Sequence, residues 1–223
     1  MGTPVTEETI KSWYNPKKKG IIVVGMMRSG TQFLTTVIHD VLVRNSPALD
    51  FYGEIPMVHY GVMHESPPSL IPKIISEFMM CDNFSISSAV ITQALPWLFN
   101  YWPIYETIEQ DYTVVKLVRK DMVKHLMSTV VFNKARQHSG ITPDQLGTIL
   151  PTPYKLPVED LSRFILESQY VHSLPADITI NYEDLVLPTT KMVKNNYGMP
   201  PEEFFENYDF IAKTLGNTVF HGK

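Results

Sequence analysis

The chain has 223 residues, 44% of them hydrophobic and 19% charged, which suits one domain with a sizeable core and excludes a disordered polymer. Its 19 Lys and Arg are outnumbered by 23 Asp and Glu, so the formal net charge is -4 and a long nucleic acid is excluded as a partner by the sign of the field. A single cysteine, Cys81, excludes a disulfide framework and points to a reducing, cytoplasmic setting, with the thiol itself a small buried hydrophobe.

Residues 1–19 read as a lead-in, without the apolar core of a signal peptide. "GIIVVG", Gly20–Gly25, is a β-branched run bounded by glycines and predicts a buried strand. "TQFLTTVIHDVLVRN" follows, with Phe33, Leu34, Val37, Ile38, Val41 and Leu42 at helical spacing. "ALDFYGE", ending at Glu54, suits a second strand. The proline-, histidine- and methionine-rich stretch 55–68 reads as a loop over a pocket. "SLIPKIISEFMM" and "ITQALPWLFNYW" read as helices or broken helices, with Pro96 near a start or kink. "YTVVKLVR" is the clearest later strand. "DMVKHLMSTVVFNKARQ" is a helix with Asp121 placed to cap it. After a proline-rich loop over 138–157, "VEDLSRFILESQYVHS" is a helix and "DITINYEDL" runs from strand into helix. Residues 188–223 read as a helical C-terminal region. Strands alternating with helices predict a single α/β domain over 1–223, three-layered, around a mostly parallel sheet. In such sheets ligands sit beyond the carboxyl ends of the strands.

Gly25 and Gly30 have the spacing of a phosphate-binding G-x-x-x-x-G loop in its strand–loop–helix context. Glycines let the backbone turn its N–H groups toward an anion, and the helix opening at Thr31 adds its positive end. The lysine that would follow Gly30 in a nucleoside triphosphatase is absent. Thr31 and Gln32 stand there, and the cation lies inside the loop at Arg28. Further on, "KLVRKDMVKHLMSTVVF" places Arg119 at a strand end and Ser128 nine positions later, on the next helix. A guanidinium there can grip a phosphate through paired hydrogen bonds, with the serine hydroxyl adding a donor from the same side.

"GMMRSGTQFL" resembles the 5′-phosphosulfate loop of sulfotransferases that use 3′-phosphoadenosine 5′-phosphosulfate (PAPS). The Arg119–Asp121–Ser128 spacing resembles that of bacterial trehalose- and nodulation-factor-type carbohydrate sulfotransferases, and "ITINYEDL" is similar to a strand the family carries after its long helical region. The resemblance implies a P-loop nucleotide hydrolase-like sulfotransferase fold. It implies that Met27, Arg28, Ser29, Gly30, Thr31 and Gln32 hold the 5′-phosphosulfate, with Arg28 also catalytic, and that Arg119 and Ser128 hold the 3′-phosphate. It implies PAPS as co-substrate, no metal, and a small-molecule or carbohydrate acceptor.

Sulfuryl transfer to a hydroxyl needs a general base. Glu54, in "FYGEIP", resembles the glutamate of a "GEP" segment that serves as base in the trehalose-type enzymes, although Ile55 interrupts the match here. His59 and His64 are the rival bases. Trp97, Tyr101, Trp102 and Tyr105 suit a sugar-stacking wall or, at the same spacing, a core helix. Tyr182, Glu183 and Asp184 suit structural roles. Two alternatives stand beside the sulfotransferase reading: a P-loop small-molecule or nucleotide kinase with a degenerate loop, and a non-catalytic nucleotide-binding protein of the same fold. No stretch reaches the ~18 apolar residues of a membrane span.

Overall fold

The computed structural model describes residues 5–43, 50–54, 85–91, 110–137, 153–185 and 199–218. The lead-in is more structured than its sequence suggests. Helix α1, Glu7–Ser12, opens with a reciprocal cap in which the Thr6 hydroxyl accepts from the Thr9 N–H, and it buries Ile10 and then Trp13 in the core. Val5 pairs with Leu185 in a parallel bridge. Strand β1, Gly20–Met26, is buried along its whole length, as a run of β-branched residues in the middle of a parallel sheet should be. Helix α2 is Thr31–Val43, strand β2 Asp50–Glu54 and strand β3 Ser85–Ile91. Strand β4 is Tyr112–Val118, helix α3 Met122–Gln137 and helix α4 Val158–Ser173. Strand β5, Ile178–Asn181, runs into a 3₁₀ turn at Tyr182–Asp184 rather than a longer helix. Helices α5, Pro201–Phe204, and α6, Tyr208–Asn217, fall in the region expected to be helical.

The described strands pair in the order β2-β3-β1-β4-β5, every pair parallel. Helices cover both faces. On one side Ile21, Val23, Val115 and Leu117 pack with Ile10, Trp13, Leu34, Val37, Ile38 and Val41 of α1 and α2. On the other side Met26 and Val118 pack with Leu126, Val130, Phe164, Val171, Phe204 and Ile211 from α3 to α6. The architecture is α/β, with helices layered on both faces of a parallel sheet.

The strand order also fixes where the sheet opens into a crevice. The chain leaves β1 toward β2 on one side and leaves β4 toward β5 on the other. With right-handed crossovers the intervening helices fall on opposite faces, and the crevice between them opens at the carboxyl ends of β1 and β4.

Strand β3 is a correction to the sequence reading, which assigned no strand there and began a helix at Ile91. Its serines, at 85, 87 and 88, break the apolar run by which a buried strand is recognised, yet it lies between β2 and β1. The helices expected at 69–80 and 92–102, the loops at 55–68 and 138–152, Cys81, His59, His64 and the aromatic group Trp97, Tyr101, Trp102 and Tyr105 lie outside the described residues. Among the described residues no helix is long and apolar enough to cross a membrane.

Candidate functional site

The turn from β1 into α2 passes through two left-handed residues, Arg28 at φ 66 and Gly30 at φ 97. Between them the Ser29 N–H donates to the Met26 carbonyl at 3.1 Å, closing the turn. Gly25 is glycine for lack of space. A Cβ there would lie 2.5 Å from Ser29 Oγ, 2.8 Å from Thr31 Cγ2 and 2.9 Å from the Leu117 carbonyl oxygen. Ser29 and Thr31 are consequently buried over the strand end, whereas Met27, Arg28 and Gly30 are partly open and Gln32 is exposed. The first helical hydrogen bond runs from the Leu34 N–H to the Gly30 carbonyl at 3.0 Å, so the N–H groups of the first turn of α2 face the loop side.

Helix α3 presents one face to this loop. His125, Ser128 and Phe132 recur at three and four positions, which puts them on one stripe. His125 Nε2 lies 2.9 Å from the Met27 carbonyl oxygen. Arg28 Nε donates to Ser128 Oγ at 3.4 Å, joining residues 100 positions apart. The Arg28 guanidinium carbon sits 4.9 Å from the centre of the Phe132 ring. Helix α3 is aimed by its own start: Asp121 accepts the Lys124 N–H at 3.0 Å, the cap expected of it.

Arg119 comes from the neighbouring strand. Gly25 pairs with Leu117, and Val118 pairs with Asn181, so Met27, Arg119 and Tyr182 emerge one residue beyond the sheet at one level. The Arg119 guanidinium carbon lies 4.3 Å from the centre of the Tyr182 ring. That ring also abuts the loop, because a Cβ on Gly30 would meet Tyr182 Cε2 at 2.6 Å. The next two residues clamp the backbone after Arg119. Glu183 accepts the N–H groups of Lys120 at 2.9 Å and Asp121 at 3.3 Å. Asp184 takes the Lys120 ammonium at 2.7 and 2.8 Å, a pairing that with Asn181 holds its carboxyl below the ordinary range. Tyr182 and Glu183 thus tie the loop, β4 and the start of α3 into one unit.

Two guanidinium groups and a helix N-terminus converge here, and among the described residues neither Arg28 nor Arg119 has a carboxylate partner. Ser29 Oγ, Arg119 Nε and His125 Nδ1 are buried with no hydrogen-bond partner among the described residues. Buried polar atoms are nearly always paired, and three of the unpaired ones are grouped around this loop. His125 is neutral, its pKa pushed down to about 3 by burial first and by the two nearby arginines in lesser degree. Positive charge beside His125 is thus carried by Arg28 and Arg119 and not by its own ring.

Glu54 ends β2 two strands away from β1. It pairs with Ser88, which pairs with Val23, so its backbone lies three positions short of the level of Met26, or ~10 Å down the sheet. The sequence reading named Arg28, Ser29, Arg119 and Ser128 and missed His125 and Phe132. Their signal was available in the helical spacing from Ser128, but the loop they would face was visible only in three dimensions.

No protein-family model and no curated protein sequence matches the chain. A crystal structure of shikimate kinase from Aquifex aeolicus vf5 is similar over 90% of this chain and 99% of that one, with a TM-score of 0.42 and 15% identity. A likeness at that distance decides neither substrate nor reaction.

Proposed function

We propose that this chain is a PAPS-dependent sulfotransferase acting on a hydroxyl of a small molecule or carbohydrate. The observation that supports it best is the pair of arginines that have no carboxylate partner among the described residues, one in the glycine loop and one at the adjacent strand end. An ATP-type loop concentrates its cation after the second glycine, on the helix. Here that position is Thr31, whose methyl packs over Gly25, and positive charge is split between two strand ends. Two cations, one in the glycine loop and one just beyond β4, suit a ligand with two anionic groups, as PAPS has in its 5′-phosphosulfate and 3′-phosphate.

The donor set fits that ligand. The first-turn N–H groups of α2, Ser29 and Arg28 would hold the 5′ group, and Arg119 with Ser128 the 3′-phosphate. Bound PAPS supplies an activated sulfuryl group: the bond from sulfur to the bridging phosphate oxygen breaks as a bond to the acceptor oxygen forms. Arg28 stabilises charge on the departing phosphate oxygen. Glu54 is kept as the group that takes the acceptor proton in this reading.

A thermal-shift comparison tests the proposal. 3′-Phosphoadenosine 5′-phosphate at a hundred times its dissociation constant should stabilise the protein by ~2.7 kcal/mol, and ATP with magnesium should do less. The reverse order would support the kinase alternative and end the sulfotransferase reading. Arg119→Ala should abolish the preference for the 3′-phosphorylated nucleotide over AMP. With a sulfated product detected, Glu54→Gln should lower kcat by ~10²–10⁴-fold at unchanged nucleotide affinity. Binding without any turnover across an acceptor screen would leave the non-catalytic alternative.

A further inference from the structure

Arg28 is the one left-handed non-glycine among the described residues, and a side chain there costs ~1–2 kcal/mol of backbone strain. Something must hold it. Its own turn supplies only the Ser29-to-Met26 hydrogen bond. The rest comes from α3, through Ser128 and Phe132 on the guanidinium and through His125 on the peptide just before it. Because the Met27 carbonyl can only accept, His125 Nε2 must carry the proton, and Nδ1 keeps the lone pair. The ring is 2% exposed and set edge-on against Phe164, with ring centroids 5.3 Å apart and planes at 80°. Packing therefore fixes its direction as well as its tautomer.

We propose that His125 is a positioning residue of the anion site: by holding the Met27 carbonyl it fixes the Met27–Arg28 peptide and keeps Arg28 in the left-handed conformation that presents its guanidinium to the ligand. The inference rests on the anion-binding reading of the loop and not on which nucleotide is bound. His125 touches no reacting atom and acts through Arg28. The buried Nδ1, which gains nothing from the fold, is the counterpart of this role. A leucine in the same space would pack without an orphaned polar atom.

That contrast separates positioning from simple packing. His125→Leu should keep a melting temperature near that of the unaltered protein while binding 3′-phosphoadenosine 5′-phosphate about tenfold more weakly, equivalent to ~1.4 kcal/mol. His125→Gln, whose amide N–H reaches about as far as Nε2, should restore most of the affinity. His125→Asn, one methylene shorter, should not. In an Arg28→Ala background, His125→Leu should weaken binding no further, because the residue it positions is gone. Calorimetric titration of the six proteins, the unaltered chain, the three His125 variants, Arg28→Ala and the double variant, reads all of this. Unchanged affinity in His125→Leu would overturn the proposal, as would a Gln variant no better than Asn, or additive losses with Arg28→Ala. Should the leucine variant fail to fold, the Gln–Asn comparison carries the test. If the unaltered protein prefers ATP, the sulfotransferase reading fails but the same series is read with ATP. If it binds neither nucleotide, the anion site itself falls and this inference with it.

Discussion

Two glycines five positions apart look interchangeable in sequence and are not. Gly30 is required by its backbone, at φ 97, and by the Tyr182 ring against its α-carbon. Gly25 has an ordinary strand conformation and is required by the three groups crowding its α-carbon, one of them the Leu117 backbone carbonyl, which cannot rotate away. Gly25→Ala should therefore destabilise the fold by ~1–3 kcal/mol, in the range of overpacked cores, and should loosen the loop at the same time. Urea denaturation would show this as a lower midpoint at constant slope. An unchanged midpoint would mean that β1 and β4 slide apart at no cost. The need for glycine at both positions was legible in the spacing. The two different reasons were not, because they depend on the carbonyl of Leu117 in β4 and the ring of Tyr182 just after β5, both far along the chain.

At the scale of elements, Lys116 is the clearest case of a residue whose local pattern misleads. It stands inside "YTVVKLV", a strand buried at every position. Its ammonium donates to the carbonyls of His172 at 2.9 Å and Leu174 at 2.8 Å, closing the C-terminal end of α4, where a cation is also favoured by the helix dipole. Burial lowers its pKa. Lys116→Met keeps the stem and removes both donors, so it should lower stability by ~1–3 kcal/mol and leave nucleotide affinity intact. Loss of affinity without loss of stability would instead place Lys116 in the site. The sequence showed α2, α3, β1 and β4 because each carries its periodicity within itself. It hid β3, whose serines are tolerated through pairing on both sides, and α1, which is held by a cap and two buried residues rather than by a long apolar stripe.

For the molecule as a whole, a buried histidine and a partly buried glutamate set opposing pH dependences. His125 is held neutral, its pKa moved from 6.5 to about 3 by burial. As pH falls below 6.5 the unfolded chain gains a proton that the folded chain refuses, so stability is lost from there down to about pH 3. Glu167 is moved the other way, from 4.5 to about 8, again by burial. Its unfolded form ionises first as pH rises, so its contribution is lost between pH 4.5 and 8. Together they predict a melting temperature that is flat between pH 4.5 and 6.5 and falls on either side. Glu167→Gln should flatten the alkaline limb, and a melting temperature that rises from pH 6.5 to 8 would contradict the assignment. Of the site, the sequence by itself determined the parts that are local: a strand that ends in a glycine turn with Arg28 inside it, a helix that begins at Thr31, and Arg119 and Ser128 spaced on a second strand and helix. Only the tertiary structure decided how these meet. Placing β1 beside β4 puts Arg28 against Ser128 and Arg119 over Tyr182, and it turns His125 toward the Met27 carbonyl. The physical reason is that periodicity records which face of an element is buried, whereas strand order and register record which elements share that burial, and the site is made of the second kind of information.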